Sequence, residues 1–412
     1  MTAPSLARLR HNRAFKVWLL STAQSQLGTA LSSVALGFLV LEQTGSAGSL
    51  TLTLALSLLP NLLLPLAGVW TDRLGPKGLL VAADALRGGV QLALAAAALL
   101  GLLTPELIYA AALLNGLLGA MSGPAASSAV PLLVEADDLP RANGLLASFG
   151  QGAWLAGYAA GGVLVTLLGP AWALGLDGLT YLVAALAVGG LVQFRHAAQA
   201  QGSETALGFW AELRGGVSAL RKSRTLTLIP GLALVANAAL GPVLALTPAV
   251  MDNLGRGAAG YSLFLMLETG GALLAGTIFA RWGGALPPHA TVTAGLLLGG
   301  LSLAMMAGLG TFPALLAGSA LFGLSVGLVN TPLVTLIGSQ VAASHLGRAF
   351  ALLSMTGSLG MPLVLLAITP QADQVPASTF YGLAGAGLLL AAAGWWAATR
   401  TEAAAYPRRT SV

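Results

Sequence analysis

The chain has 412 residues, of which 56% are hydrophobic and only 8% charged, with 19 Lys and Arg against 14 Asp and Glu, a net charge of +5 and no cysteine. Soluble domains carry roughly 45–50% apolar and about 25% charged residues, so a soluble globular protein is excluded; the missing thiols exclude a disulfide framework, a thiolate metal site and a cysteine nucleophile. The basic excess is spread over short loops rather than gathered on one polar face, which points to topology signals and contacts with anionic lipid head groups and away from nucleic acid.

The polar start through Lys16 runs directly into a stretch too long for the apolar part of a signal peptide. Twelve apolar segments follow, at 15–40, 47–71, 78–102, 106–132, 142–168, 171–193, 226–250, 258–281, 290–310, 313–339, 347–369 and 377–399. Each reaches or approaches the roughly 20 residues that cross a hydrocarbon core, which predicts an all-α membrane protein of twelve transmembrane helices. Read as alternate crossings, every Lys and Arg lies in or beside one set of loops and the two tails, except Arg256 on the opposite side and Arg87 within a span. That is the positive-inside pattern, with both termini cytoplasmic.

Polar residues inside the spans are the candidates for function, because charge in a bilayer is costly and rarely retained without use. Gln24 and Gln26 stand in the first span. In the third, Asp84 and Arg87 are spaced i, i+3, close enough to pair on one face; paired charge of this kind is more often structural, or part of a gate, than a coupling site. Asn115 lies in the fourth span, and Trp154 is a mid-span aromatic in the fifth that could stack a flat ligand or simply pack. Asp177, a third of the way into the sixth, could hold substrate charge or a proton, or bond the backbone around Gly175 and Gly178.

Between the sixth and seventh spans lies the one long polar segment, 194–225. Its Phe209, Leu213, Val217 and Leu220 follow a helical stripe beside Arg214, Arg221 and Lys222, so an interfacial amphipathic linker helix is expected there. Asn237 follows in the seventh span and Asn330 in the tenth; each intramembrane amide is a cavity candidate, although singly such groups more often join helices. Glu268, in the middle of the eighth span with no cation within a turn, is the first candidate for proton coupling or cation recognition, against the alternative of a structural helix-helix hydrogen bond. His11, His196, His289 and His345 lie near loops or tails without metal-ligand spacing and read as solvated interfacial residues. No metal or cofactor is expected, and the absence of a nucleotide-binding G-x-x-x-x-G-K-[ST] loop argues against an ATPase.

An internal repeat divides the twelve spans. Gly68-Val-Trp-Thr-Asp72-Arg73-Leu-Gly75 returns as Gly276-Thr-Ile-Phe-Ala280-Arg281-Trp-Gly283; Gly116 and Pro124 return as Gly323 and Pro332, and Leu139-Pro-Arg141-Ala142 as Leu346-Gly-Arg348-Ala349, all shifted by 207 or 208 residues. A constant shift at three separate places implies two equivalent halves: a six-helix bundle over 1–193, the linker 194–225, a second bundle over 226–400 and a cytoplasmic tail 401–412. Two such bundles around one cavity is a transporter plan.

The loop Gly68-x-x-x-Asp72-Arg73-x-Gly75-x-Lys77 resembles the signature loop of the major facilitator superfamily. Ser25-x-Leu27-Gly28, Thr44-Gly45-Ser46-Ala47, Leu59-Pro60 with Pro65-Leu-Ala-Gly68, Asp84-x-x-Arg87, Arg141-Ala-Asn143, Gly157 with Gly161-Gly162, and Glu212-Leu-x-x-Gly216 together resemble its third drug:proton antiporter branch, the macrolide-efflux-like group that also includes siderophore exporters. The resemblance covers most of residues 10–230 and thins beyond. It implies the major facilitator fold, a bacterial inner-membrane location, and a cytoplasmic gating latch formed by Gly68, Asp72, Arg73, Gly75 and Lys77, with Asp72 seated near the start of the eleventh span. It also implies that the first, fourth, seventh and tenth spans line the cavity. Three departures are visible: Thr29 where the branch often has an acid, no Arg in the fourth span, and Tyr158 in place of a Pro between Gly157 and Gly161-Gly162. The expectation is a monomeric secondary transporter, not an enzyme, working by alternating access and exporting amphipathic drug-like compounds in exchange for protons. The alternative is export or exchange of a physiological solute such as a siderophore or lysophospholipid, with or without coupling, and a non-transporting membrane sensor is a distant third.

Overall fold

A computed structural model describes residues 5–63, 75–194, 218, 223–283, 286–341 and 345–404. Among these residues the secondary structure is helical throughout, with no strand. A short helix α1 (Ser5–His11) precedes α2 (Arg13–Thr44), α3 (Ala47–Leu58, continued by a 3-10 segment Leu59–Leu63), α4 (Pro76–Leu99), α5 (Pro105–Ala129), α6 (Leu139–Leu168) and α7 (Pro170–Leu191). Then follow α8 (Arg224–Asn253), α9 (Gly257–Trp282), α10 (Pro288–Leu309), α11 (Phe312–Gln340), α12 (Leu346–Ile368) and α13 (Ala377–Ala404). Helices α2 to α13 take the twelve predicted spans in order. Eleven of them are long and apolar enough to cross a membrane, and the second span is an apolar helix described over Ala47–Leu62. The rest of that span, the linker apart from Phe194, Ser218 and 223–225, and the tail from 405 on lie outside the described residues.

The helix ends follow local chemistry. The side chain of Asn12 accepts a hydrogen bond from the Phe15 amide at 3.0 Å and caps α2, and Ser46 caps α3 by accepting from Ser49 N at 3.0 Å, satisfying amides with no partner inside the helix. Pro76, Pro105, Pro170 and Pro288 open their helices, where the missing N–H costs nothing. Gly45 and Gly310 close α2 and α10 at φ 62° and 55°, the left-handed stop that glycine adopts most readily. At Pro131 the fifth helix tightens into a 3-10 turn, Val130–Leu132, and ends there.

The chain divides into two compact units: Met1–Glu204 with Arg256–Ser262, and Thr205–Gly255 with Leu263–Val412. Inside each, corresponding helices pack. In the first, α2 packs on α6 and α7, and α4 on α5 and α7; in the second, α8 packs on α12 and α13, and α10 on α11 and α13. Lipid provides little hydrophobic drive between helices, so close approach relies on small residues. A Cβ at Gly157 would fall on the Leu27 carbonyl, and one at Gly360 on the Leu234 carbonyl. A Cβ at Gly116 would strike the Ser57 carbonyl, and one at Gly323 the Glu268 carbonyl. Leu27 and Leu234, like Gly116 and Gly323, are separated by the shift read from the sequence, so the repeat extends from motif to packing.

Candidate functional site

The first unit assembles a polar cluster from helices that sequence alone keeps apart. Helices α4 and α7 touch where a Cβ on Gly88 would meet the Gly178 carbonyl. On either side of that contact, Gln91 donates from Nε2 to Asp177 Oδ2 at 2.8 Å, and the Arg87 guanidinium lies 4.2 Å above the centre of the Tyr181 ring. Asp177 is fully buried. Its Oδ1 accepts a bond from Thr180 Oγ1 at 3.4 Å, with Ser32 as a further hydrogen-bonding neighbour. Asn115 of α5 donates to Gln91 Oε1 at 3.5 Å, and its own Oδ1 is buried without a partner among the described residues. Tyr181 shares a 2.7 Å hydrogen bond with Thr29 of α2, whose hydroxyl also donates to the Ser25 carbonyl at 2.9 Å.

Asp84 and Arg87, predicted as a pair, face each other electrostatically across one turn. Among the described residues, however, no carboxylate oxygen lies within 4.0 Å of the Arg87 guanidinium. Gln24 donates to the Thr180 carbonyl at 3.1 Å and so joins α2 to α7, whereas Gln26 turns toward Gly150 of α6 a buried Oε1 that has no partner among the described residues. Trp154 packs obliquely on Tyr158, ring centres 5.5 Å apart.

The second unit is plainer. Asn237 bonds its own helix at Ala233 O, 2.9 Å, and faces Gly357 of α12; Asn330 is exposed. Glu268, partly buried on α9, makes no hydrogen bond or ion pair among the described residues. Its backbone is pinned against Gly323 of α11. Among the described residues the unit therefore presents one intramembrane acid with an unengaged side chain. The sequence missed one buried group here: His289, expected to be solvated, is 3% exposed, stacked near Trp395, whose indole N–H donates to the His289 carbonyl at 3.1 Å.

Of the latch residues, Gly68, Asp72 and Arg73 lie outside the described residues. Gly75 adopts φ 71°, ψ 150° as it caps α4, and Lys77 donates to the Val192 carbonyl at 2.7 Å, a cation at the negative end of α7. Nothing lies within 4 Å of a Cβ built on Gly75, so glycine is needed there for conformation rather than space. Gly75→Ala is expected to cost about 1–3 kcal/mol, the penalty of a backbone region almost reserved for glycine, and a fall in the thermal unfolding midpoint of the purified protein checks it. At the same end of the unit, Arg8 pairs with Asp138 at 3.2 Å and Glu135 at 3.6 Å, and Asn12 donates to the Leu133 carbonyl at 2.7 Å. These groups, with His11 and Gln193, line a cavity of about 430 Å³. Among the described residues no group of three or more His, Asp or Glu is placed to hold a metal.

Comparison with known proteins places this arrangement in a family. The profile of the Major Facilitator Superfamily matches residues 18–365. Macrolide efflux protein A of Streptococcus pyogenes is 24% identical over 379 residues, covering 90% of this chain and 92% of that protein. The multidrug efflux pump Tap of Mycobacterium tuberculosis is 29% identical over 391 residues, 89% of each chain. Among solved structures, the nucleoside transporter NupG superposes with a TM-score of 0.73 at 15% identity, over 94% of this chain and 99% of that one. The POT family transporter PepTSo gives 0.73 at 15% identity, over 95% and 98%. At those identities the structures speak for the fold alone.

Proposed function

Because the chain belongs to the Major Facilitator Superfamily and is a multi-pass membrane transporter rather than an enzyme, we propose that it exports amphipathic, drug-like cations by alternating access, in exchange for protons. The observation that carries this reading is Glu268: one carboxyl at mid-membrane, partly accessible and unengaged among the described residues, while Asp177 is fully buried and accepts hydrogen bonds from Gln91 and Thr180. A cation that takes the Glu268 carboxylate must displace its proton, and a proton arriving from outside must displace the cation. Antiport needs only that competition at one group. Two relatives named for macrolide and multidrug efflux support the substrate class.

The competition fixes the energetics. One monovalent cation exchanged for one proton moves no net charge, so the pH gradient drives it and the membrane potential does not. Each pH unit then supports about a tenfold substrate gradient, roughly 1.4 kcal/mol. A neutral substrate exchanged for a proton would instead respond to potential by about 2.3 kcal/mol per 100 mV. In liposomes carrying the purified transporter, accumulation of a lipophilic monovalent cation should follow an imposed pH gradient and ignore a potassium diffusion potential. Accumulation that ignores the pH gradient would refute the coupling.

A further inference from the structure

Among the described residues the first unit holds one cation and two acids within the membrane-spanning segments, and the cation sits on neither acid. Asp84, Arg87 and Gln91 stand at i, i+3 and i+7 on α4, a single helical face. Gln91 delivers that face to Asp177 on α7, while Asp84, partly buried, makes no hydrogen bond or ion pair among the described residues. Arg87 between them rests on the Tyr181 ring. Its Nε is buried without a hydrogen-bond partner among the described residues, and no carboxylate oxygen there comes within 4.0 Å of its guanidinium. Beside it α5 presents Gly119, where a Cβ would still stand 4.0 Å from the guanidinium, so the head group has room to turn.

We propose that Arg87 is a switching counter-ion that leaves the Tyr181 face to pair with Asp177 in one state of the transport cycle and with Asp84 in the other. A guanidinium whose Nε is buried without an acceptor is poorly placed. An aromatic face holds it more weakly than a carboxylate at bonding distance does, so the position over Tyr181 suits a resting place between two better ones. One guanidinium balances one carboxylate at a time, and an unbalanced charge at this depth is expensive. Whichever acid Arg87 leaves must take a proton, and whichever it joins must give one up. Rotation of one side chain thus ties a proton movement in the first unit to a change of state. The tyrosine is itself fixed by its bond to Thr29, which joins the seat of the cation to α2.

The charged and titratable groups around Arg87 are few. On its own helix there is Asp84; on α7 there are Asp177 and Tyr181; α5 turns Asn115 and Gly119 toward the cluster and carries Glu106 and Tyr109 only near its start. Arg87 acts through the two acids and so is a positioning residue. The inference rests on the proton-coupled reading above and adds to it a device separate from Glu268.

The test uses the full chain in proteoliposomes, with substrate-evoked proton release measured from about pH 5.5 to 8.5, on either side of neutral. Arg87→Gln and Asp84→Asn should each move the midpoint of the pH profile of proton release by about one unit, while substrate still binds and the exchange at Glu268 persists. Arg87→Lys, which keeps a positive charge, should retain most of the native profile. Loss of folded protein in Arg87→Gln with a native profile in the remainder would assign a structural role and overturn the proposal. Asp84→Asn keeps the test decisive if Arg87→Gln does not fold, since no described bond depends on that carboxylate, and an unchanged profile there overturns the proposal as well. A native protein that transports without releasing protons defeats both readings together. Native coupling with unaltered variants defeats this one alone.

Discussion

Glu268→Gln is expected to flatten the pH dependence of export and to abolish substrate-evoked proton release, while the protein folds and inserts normally. Glutamine keeps the size and hydrogen-bonding capacity of the side chain and removes only the ionisable proton. No described group depends on that proton for a bond, so little stability is at stake. In the native protein cation and proton compete, so binding weakens as pH falls, approaching tenfold per unit once the carboxyl is mostly protonated. In the variant the pH slope should vanish, and affinity for a cation should drop by about tenfold or more, as a charge pair in a poorly hydrated site is lost. Binding of a fluorescent lipophilic cation to purified protein across pH measures both. A variant with native slope and affinity would place the exchange elsewhere.

Gly323→Val is expected to cost folded protein. The Cβ it adds would fall on the backbone carbonyl of Glu268, and the same interface places Gly271 against the Ala320 carbonyl and Gly327 against Ala275 and the Ala272 carbonyl. Backbone cannot turn aside as a flexible side chain can, so α9 and α11 must separate. Overpacking a close interface costs about 1–3 kcal/mol, and contact with main chain belongs at the upper end. Gly276→Val on α9 is the control, because nothing lies within 4 Å of its Cβ. The yield of monodisperse protein after detergent extraction should fall sharply for Gly323→Val and little for Gly276→Val. Any Gly323→Val protein that survives should also transport poorly, since the segment displaced carries Glu268.

The helices were legible because crossing a bilayer is a one-dimensional requirement. Length, apolar content and the prolines and glycines at the ends set them, and the structure differs chiefly in extent, as where α2 runs over Arg13–Thr44 against the predicted 15–40. The repeat was legible for a similar reason, since two halves under the same packing demands keep glycine at the same crossings, as at Gly116 and Gly323. The polar cluster was not, because it depends on how α4 and α7 register against each other. Asp84, Arg87 and Asp177 stood out as charges, but Gln91, Thr180 and Tyr181 acquire meaning only once Gly88 and Gly178 bring the helices together. One signal was available: Gln91 continues the stripe begun by Asp84 and Arg87. Thr29 read as the loss of an acid, and the structure shows what it does instead, holding the Tyr181 hydroxyl. His289 read as solvated because no pattern within one segment reveals that Trp395, more than a hundred residues later, covers it.

On the function proposed above, a cation and a proton exchange at a carboxyl in the second unit. Inverted membrane vesicles containing the native chain or Glu268→Gln, loaded with a pH-reporting dye and given a lipophilic cation, test it most directly. Native vesicles are expected to release protons in proportion to the cation taken up, whereas Glu268→Gln vesicles of equal protein content are not. Cation uptake by native vesicles with no proton movement, or an undiminished proton response in Glu268→Gln, would contradict it.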